Sequence, residues 1–323
     1  MEKMKISILD DYQNVIKDLK CFKILKDQNV SILHKTEKDP IKLAQQLQDS
    51  EILVLTRERT EITEELLSQL PNLKLISQTG KISNHLDLDI CTKYKVAVAE
   101  GVGSPIAPAE LTWALLMNVV RKIPQAISDM KNGLWQTNIG STISGKTIGI
   151  WGYGKIGQRI AQYAKAFGAN VLVWGSENSR TKAVEDGFDR AESKEEFFQT
   201  ADIVTLHLRL NPATQHIVKL HDLEMMKENS VLINTARAEL IENAAVETLL
   251  KKGKKMFFGF DVYESEPIYN RDFILLKYDN VTCTPHLGYV EQNGYELYFG
   301  KAFENVLNYL KGQPTNIANP EVL

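Results

Sequence analysis

Short apolar runs alternate with helix-length amphipathic stretches along the whole chain, the pattern expected of βαβ units built on a parallel sheet. In the first hundred residues the apolar runs fall at 5–9, 30–34, 52–55, 73–77 and 96–99, with helical stretches at 40–47 and 63–70 between them. The second helix is introduced by Thr60-Glu61-Ile62-Thr63-Glu64, which places acids in its first turn. Gly101-Val102-Gly103-Ser104-Pro105 breaks the rhythm and reads as a linker. The stretch 108–121 that follows is so apolar that the helix it forms should be buried on several sides, between domains or against another subunit. Residues 132–145, with Trp135 among several Gly and Ser, read as a loop. A second series of strands is predicted at 147–151, 170–174, 203–208, 231–234, 256–261 and 281–284, and a closing helix at 292–310. No internal repeat or low-complexity tract interrupts the two series.

Composition adds a scale and removes several classes. At 323 residues and about 100–200 residues per domain, two domains are expected. Lys and Arg number 38 against 41 Asp and Glu, a net charge of −3, so no global field recruits nucleic acid or an acidic membrane. The basic run Lys251-Lys252-Gly253-Lys254-Lys255 is better read as the cationic last turn of a helix, capped by Gly, than as a binding patch. No stretch reaches the roughly 20 apolar residues of a membrane span. The first residues run from charge directly into a strand, so a cytoplasmic protein is expected. Cys21, Cys91 and Cys283 are too scattered for a disulfide framework or a zinc site, and the six histidines show no ligand spacing, so no metal is expected.

The most informative stretch is 147–161. Gly152, Gly154 and Gly157 follow a strand directly and open an amphipathic helix, the context in which Gly-x-Gly-x-x-Gly binds a dinucleotide. Gly152 permits the tight turn, Gly154 lets the backbone approach a pyrophosphate, and Gly157 lets helix and strand pack closely. The helix start at Lys155 and Ile156 then offers N–H groups to the phosphate charge. About 20 residues on, an acid at a strand end would hold the ribose hydroxyls of NAD. Here the chain reads Trp174-Gly175-Ser176-Glu177-Asn178-Ser179-Arg180. The missing acid at 175, with Ser176 and Arg180 nearby, leans toward the 2′-phosphate of NADP, while Glu177 pulls toward NAD.

Three later segments sit at predicted strand ends, where open parallel sheets place their chemistry: Asn234-Thr235-Ala236-Arg237, Asp261-Val262-Tyr263-Glu264-Ser265-Glu266-Pro267 and Thr284-Pro285-His286-Leu287-Gly288. Singly, Arg237 could be a helix-flanking charge, Glu266-Pro267 a turn and His286 a loop histidine; together on one dinucleotide domain they form a site. With these motifs in order along nearly its whole length, the chain resembles the D-isomer-specific 2-hydroxyacid dehydrogenases. Within that family it is similar to a branch carrying Leu-Asp-Asp-Tyr-Gln at 9–13, Arg-Glu-Arg-Thr at 57–60 and Glu-Leu-Thr-Trp at 110–113.

The resemblance implies a substrate domain of residues 1–102 plus 288–323 and a Rossmann domain of 103–287 that binds NAD(P), with mostly parallel sheets in both. It implies that Arg237 binds the substrate carboxylate, that His286 is the general acid/base, and that Glu266 fixes the imidazole tautomer and favours its protonated form. Thr235 and Ala236 resemble residues beside the nicotinamide ribose, Asp261 one that takes the carboxamide, and His207 falls where the family's chain passes the cofactor. The family's usual Pro is replaced by Arg209, and a common Gly-x-Gly loop by Gly80-Lys81-Ile82. Lys81 and the backbone of Gly80 to Ile82 are therefore expected to bind the substrate anion. Arg57 or Arg59 either takes a second anionic group or pairs with Glu58 and Glu61. His34, His85, His216 and His221 are expected to be structural or surface residues.

The reaction implied is hydride transfer between NAD(P)(H) and C2 of a small D-2-hydroxy or 2-oxo acid, with phosphoglycerate, hydroxypyruvate and glyoxylate as leading substrates, in a cleft between domains of a homodimer. The dimer contact is expected along 108–121 and the Trp135 loop. A formate-oxidising relative would carry an amide at 266, so Glu266 argues against it. The alternative from another class is an NAD(H)-sensing binding protein on the same fold.

Overall fold

The computed structural model describes residues 3–323, which divide into two α/β units, one running up to Ser104 and resuming over Glu291–Leu323, the other spanning Pro105–Val290. Among the described residues, no helix is long and apolar enough to cross a membrane.

The first unit holds strands β1 (Lys5–Ile8), β2 (Asn29–Ile32), β3 (Ile52–Leu55), β4 (Leu75–Gln78) and β5 (Ala97–Ala99), with helices α1 (Pro40–Leu47), α2 (Glu64–Ser68) and α3 (Leu88–Lys93). The strands lie in the order β2-β1-β3-β4-β5, every pair parallel. Helix starts follow local chemistry. Asp39 accepts from the N–H groups of Ile41 and Lys42 ahead of α1, whose first residue is Pro40, and Thr63 accepts from Leu66 at α2.

The second unit begins with α4 (Ile106–Arg121) and α5 (Ile123–Lys131). It continues through β6 (Thr147–Trp151), α6 (Lys155–Ala166), β7 (Asn170–Trp174), α7 (Glu177–Glu185), β8 (Asp189–Arg190), α8 (Lys194–Thr200), β9 (Ile203–Leu206), α9 (Leu220–Glu224), β10 (Ser230–Asn234), α10 (Ala245–Lys251), β11 (Met256–Phe260) and β12 (Val281–Cys283). Its seven parallel strands lie in the order β12-β11-β10-β9-β6-β7-β8. The chain then returns to the first unit as α11 (Gln292–Leu310), where the Ala302 carbonyl accepts from Ser77 of β4.

The order reverses between β6 and β9, so a crevice opens beyond the carboxyl ends of these neighbouring strands. On one face of this sheet α4 buries Leu115, Leu116, Val119 and Val120, a spacing that returns each side chain to the same stripe. Gly259 of β11 makes the approach possible, because a Cβ there would stand 2.7 Å from Ile233 and 3.0 Å from Val119. On the other face Trp151 meets Phe197 and Phe198 edge to face. Lys122 closes α4 in a left-handed conformation, and the redirected chain forms α5, which buries none of its residues.

Gly259→Ala is therefore an overpacking substitution rather than a helix or strand effect, and it should cost about 1–3 kcal/mol in chemical denaturation. An unchanged midpoint would show that α4 does not press on β11 as described.

Candidate active site

The candidate groups issue from the carboxyl ends of the second unit's strands. At β6, Gly152 has φ +101°, and a Cβ on it would meet the His207 carbonyl oxygen at 2.8 Å. A Cβ on Gly157 would stand 2.1 Å from the Gly152 carbonyl oxygen, so the first turn of α6 can lie against the strand end only without one. At Gly154 a Cβ would meet nothing within 4 Å, so the backbone there borders open space. Gly154 is also the N-cap of α6, and no side chain caps that end. Its N–H groups, including those at Lys155 and Ile156, are thus the ones an anion would meet.

His207 follows β9 in the same crevice. The residue is half-buried, yet its Nε2 is buried and makes no hydrogen bond within the protein, and burial pushes the imidazole pKa down to about 3. A dinucleotide fits this place on three counts: an open backbone cradle at Gly154, an uncapped helix start, and an orphaned ring nitrogen beside the glycine turn.

At β10, Asn234 is buried and braces the turn that follows. Its Oδ1 accepts from the Ala236 N–H and its Nδ2 donates to the Arg237 carbonyl, 3.0 and 2.8 Å away. The Arg237 guanidinium donates back to the Ala236 carbonyl at 2.6 Å. Thr112 of α4 donates its hydroxyl to Pro108, so the 2.6 Å contact between Thr112 and Thr235 is a donation from Thr235. Thr235 is thereby oriented from α4, a tie that its sequence neighbours do not reveal.

The densest network joins β11 and β12. His286 Nδ1 lies 2.6 Å from Glu266 Oε2, and Glu266 Oε1 accepts from the Tyr263 N–H at 2.9 Å. A carboxylate acceptor at that distance assigns the proton to Nδ1 and leaves the Nε2 lone pair as the basic site. His286 is held in the left-handed region at φ +51°, with the Tyr289 ring edge-on at 5.3 Å. The backbone beyond it is anchored by Asp261, whose carboxylate accepts from Thr284 Oγ1 at 2.6 Å and from the N–H groups of Leu287 and Gly288 at 2.7 and 2.9 Å.

The Asp261 side chain is closed to solvent, and three of its acceptor positions are taken by the histidine loop. Burial raises its pKa above the ordinary carboxylate value, opposed by the bonds from Thr284, Leu287 and Gly288 and by the charge of His286. The cluster thus combines a base with a fixed tautomer, a cation on a braced turn and a dinucleotide cradle.

Residues 113–288 match the NAD binding domain of the D-isomer specific 2-hydroxyacid dehydrogenases, more than half of the chain. The chain belongs to the D-isomer specific 2-hydroxyacid dehydrogenase family. It is 32% identical over 281 residues to a D-3-phosphoglycerate dehydrogenase of Methanocaldococcus jannaschii, covering 86% of this chain and 53% of that protein. It is also 32% identical over 274 residues to a glyoxylate reductase of Thermococcus litoralis, covering 81% of this chain and 82% of that one. This dehydrogenase-family chain therefore spans about half the length of the first of these relatives. Among solved structures, a phosphoglycerate oxidoreductase from Vibrio cholerae O395 superposes with a TM-score of 0.94 at 51% identity, over 96% of this chain and 99% of that one.

In the first unit the residues expected to meet an anion also have partners within the protein. Lys81 lies 2.7 Å from Glu100 and the Ile82 N–H donates to the same carboxylate at 3.1 Å. Partial burial would raise the Glu100 pKa, but these two donors hold it below the ordinary range. Lys81 and the Ile82 N–H thus share Glu100, while the Lys81 side chain stays 67% exposed. Gly80 has a different partner, since a Cβ there would stand 2.0 Å from Arg57 Nη1. As placed, that guanidinium fills the space beside Gly80 and lies 5.8 Å from the Tyr298 ring. Arg57 Nε faces Glu58 at 3.7 Å, whereas Arg59 stacks 4.1 Å from the Tyr12 ring and donates to the Asp10 carbonyl at 2.6 Å. Arg59 thus belongs to the packing of β1 and is not paired with Glu61.

The depressed His207 pKa has a thermodynamic consequence. Below pH 6.5 the unfolded chain protonates this histidine while the folded chain does not, so the group's contribution to stability is lost as pH falls from 6.5 toward about 3. His207→Gln should lose stability less steeply across that window, by up to about 1.4 kcal/mol per pH unit, when denaturation midpoints are compared. Parallel curves for the two proteins would show that His207 titrates normally.

Proposed function

We propose that this chain is an NAD(P)-dependent dehydrogenase that interconverts a small D-2-hydroxy acid and its 2-oxo acid, with the second unit as cofactor domain and the first as substrate domain. The 2.6 Å pair of Glu266, beyond β11, and His286, beyond β12, on the two strands that follow Arg237's β10 in the sheet, is the observation that carries this reading. The bound nicotinamide dinucleotide supplies the hydride acceptor or donor. Arg237 binds the substrate carboxylate through a charge it cannot lose, which also polarises the oxygen on C2. His286 Nε2 removes the hydroxyl proton in oxidation and returns it in reduction. Glu266 carries the complementary charge of the imidazolium and keeps Nδ1 protonated throughout. Asp261 is a positioning residue, because it fixes the backbone on which His286 rides. Gly152, Gly154, Lys155, Ile156 and Gly157 hold the pyrophosphate, with His207, Thr235 and Ala236 beside the rest of the cofactor.

Substrate choice rests on Arg57 in this reading. Its guanidinium lies on Gly80, which suits a second anionic group on a phosphoglycerate-class acid. The relatives named above as phosphoglycerate and glyoxylate enzymes support the same short list, with hydroxypyruvate between them in size. Arg180, with Ser176 at the start of α7, supports NADP over NAD.

The purified chain should oxidise NADPH or NADH with at least one of glyoxylate, hydroxypyruvate, 3-phosphohydroxypyruvate and pyruvate, followed by absorbance. His286→Gln should cut kcat by about 10²–10⁴-fold, the usual worth of a general acid/base. No turnover across that panel, or a variant as fast as wild type, sinks the assignment.

A homodimer completes the reading. Helix α5 exposes Ile123, Ile127 and Met130, and Leu134, Trp135 and Ile139 continue the apolar surface, with Ile139 at 88% exposure. So much exposed apolar side chain in one stretch points to a covered face. Light scattering should give twice the 36.5 kDa of one chain, and Trp135→Glu combined with Ile139→Glu should give one. A wild-type monomer at micromolar concentration overturns the dimer.

A further inference from the structure

The place where a ribose acid belongs is closed to an acid by the backbone. Gly175 follows β7 at φ +152°, a conformation that L side chains rarely adopt. It lies beside the glycine turn: the Gly152 N–H donates to the Trp174 carbonyl at 3.0 Å, and a Cβ on Gly175 would stand 3.8 Å from that nitrogen. The adenosine ribose of a dinucleotide on this turn therefore meets what comes after Gly175 and not a side chain at 175.

What comes after is a carboxylate held by two guanidiniums. Glu177 Oε2 lies 2.5 Å from Arg180 Nη2, and its Oε1 lies 3.1 Å from Arg190 Nη1 on β8. Arg180 is set rigidly: its guanidinium stacks 4.8 Å from the Trp174 ring and donates to the Ala191 carbonyl, and only 17% of its side chain is exposed. Its Nε is buried and makes no hydrogen bond within the protein. Arg190 is steadied from its other edge by Glu192, 3.0 Å from Nε. Glu177, by contrast, is 63% exposed, and its side chain is held by nothing but the arginine pair.

Two cations aimed at one oxyanion are the recognition element for a phosphate as much as for a carboxylate. A carboxylate bridging them in an exposed position is bound weakly, because water and salt screen it. We propose that Glu177 is an exchangeable anion that keeps Arg180 and Arg190 converged and yields them to the 2′-phosphate of NADP(H), so that Glu177 and Arg190 set the discrimination between NADP(H) and NAD(H). This rests on the reading of the second unit as a dinucleotide domain. In the complex with a 2′-phosphate the dianion takes both guanidiniums and the Glu177 side chain turns to solvent. With NAD(H), which carries no anion there, the carboxylate keeps its place. Glu177 is thus an internal competitor, and its charge, not its bulk, sets how tightly a 2′-phosphate binds.

The test uses nucleotides that carry no nicotinamide, so it reads binding and not turnover. Adenosine 2′,5′-bisphosphate and adenosine 5′-monophosphate differ only in the 2′-phosphate, and calorimetry on the full chain gives both dissociation constants. Glu177→Gln should tighten the bisphosphate about three- to tenfold and leave the monophosphate within about twofold, as expected for removing one competing charge. Arg190→Ala should weaken the bisphosphate at least about tenfold, Arg190→Lys should restore part of that loss, and added salt should shrink the wild-type preference. NADPH and NADH, titrated by fluorescence, should follow the same order.

If Glu177→Gln instead weakens NADH and the monophosphate while leaving the bisphosphate unchanged, Glu177 holds ribose hydroxyls and the proposal is overturned. Equal binding of the two nucleotides to wild type, or indifference to Arg190→Ala, overturns it too, with the dinucleotide reading intact. If neither nucleotide nor either dinucleotide binds, that reading falls and this proposal falls with it.

Discussion

One buried carboxylate organises the carboxyl edge of the larger sheet. Asp261 is reached from β10, whose Asn234 carbonyl accepts its N–H at 3.1 Å, and it grips the chain beyond β12 through Thr284, Leu287 and Gly288. Three neighbouring strands are thereby registered at their ends, which is where a parallel sheet has backbone groups left to satisfy. Burying this charge opposes folding and holds its pKa above the ordinary carboxylate value, and what the bonds from Thr284, Leu287 and Gly288 give in return is a fixed loop. With the loop fixed, His286 can sit at φ +51° and still present Nδ1 to Glu266. The proposed chemistry therefore begins with a side chain that touches neither hydride nor proton.

Glycines carry the complementary constraint. Gly152 and Gly157 are required because carbonyl oxygens occupy the space a Cβ would take. Gly80 leaves room for the tip of the Arg57 side chain, and Gly259 is crowded by Ile233 of the neighbouring strand and by the helix face of α4. The first pair could be recognised from spacing, since the turn that needs them is local. The second pair could not, since no local turn or spacing marks them and only tertiary packing crowds them.

That division between local and distant partners runs through the whole comparison of sequence and structure. The strand runs at 52–55, 147–151 and 170–174 stand as read, because a short, mostly apolar run between helices leaves little choice. Helix 108–121 starts two residues earlier, at Ile106, and α5, to which the sequence reading assigns no element, buries none of its residues. Strand β8 has two residues, too few for any periodicity, and so Arg190 escaped notice. The partners of Lys81 and Asp261 within the protein, Glu100 and the Leu287–Gly288 backbone, lie 19 and 26 or more residues away, so nothing near either residue in sequence announces these bonds. Charge pairing across such distances leaves no trace in composition, and a net charge of −3 is compatible with either arrangement.

Two glutamates show how the same interaction serves opposite ends. Glu266 and Glu177 each hold a basic group at about hydrogen-bond distance, 2.6 and 2.5 Å. Glu266 is 29% exposed and its second oxygen is tied to a backbone N–H, so releasing His286 would strand a half-buried acceptor and donor together. Glu177 is 63% exposed and both its oxygens rest on arginines that have other partners, so releasing it strands nothing. Water can replace every contact Glu177 gives up, and cannot do so for Glu266. Permanence of an ion pair is set by what else each oxygen must satisfy and not by its length, and on that criterion one glutamate belongs to the fixed machinery and the other to an exchangeable site.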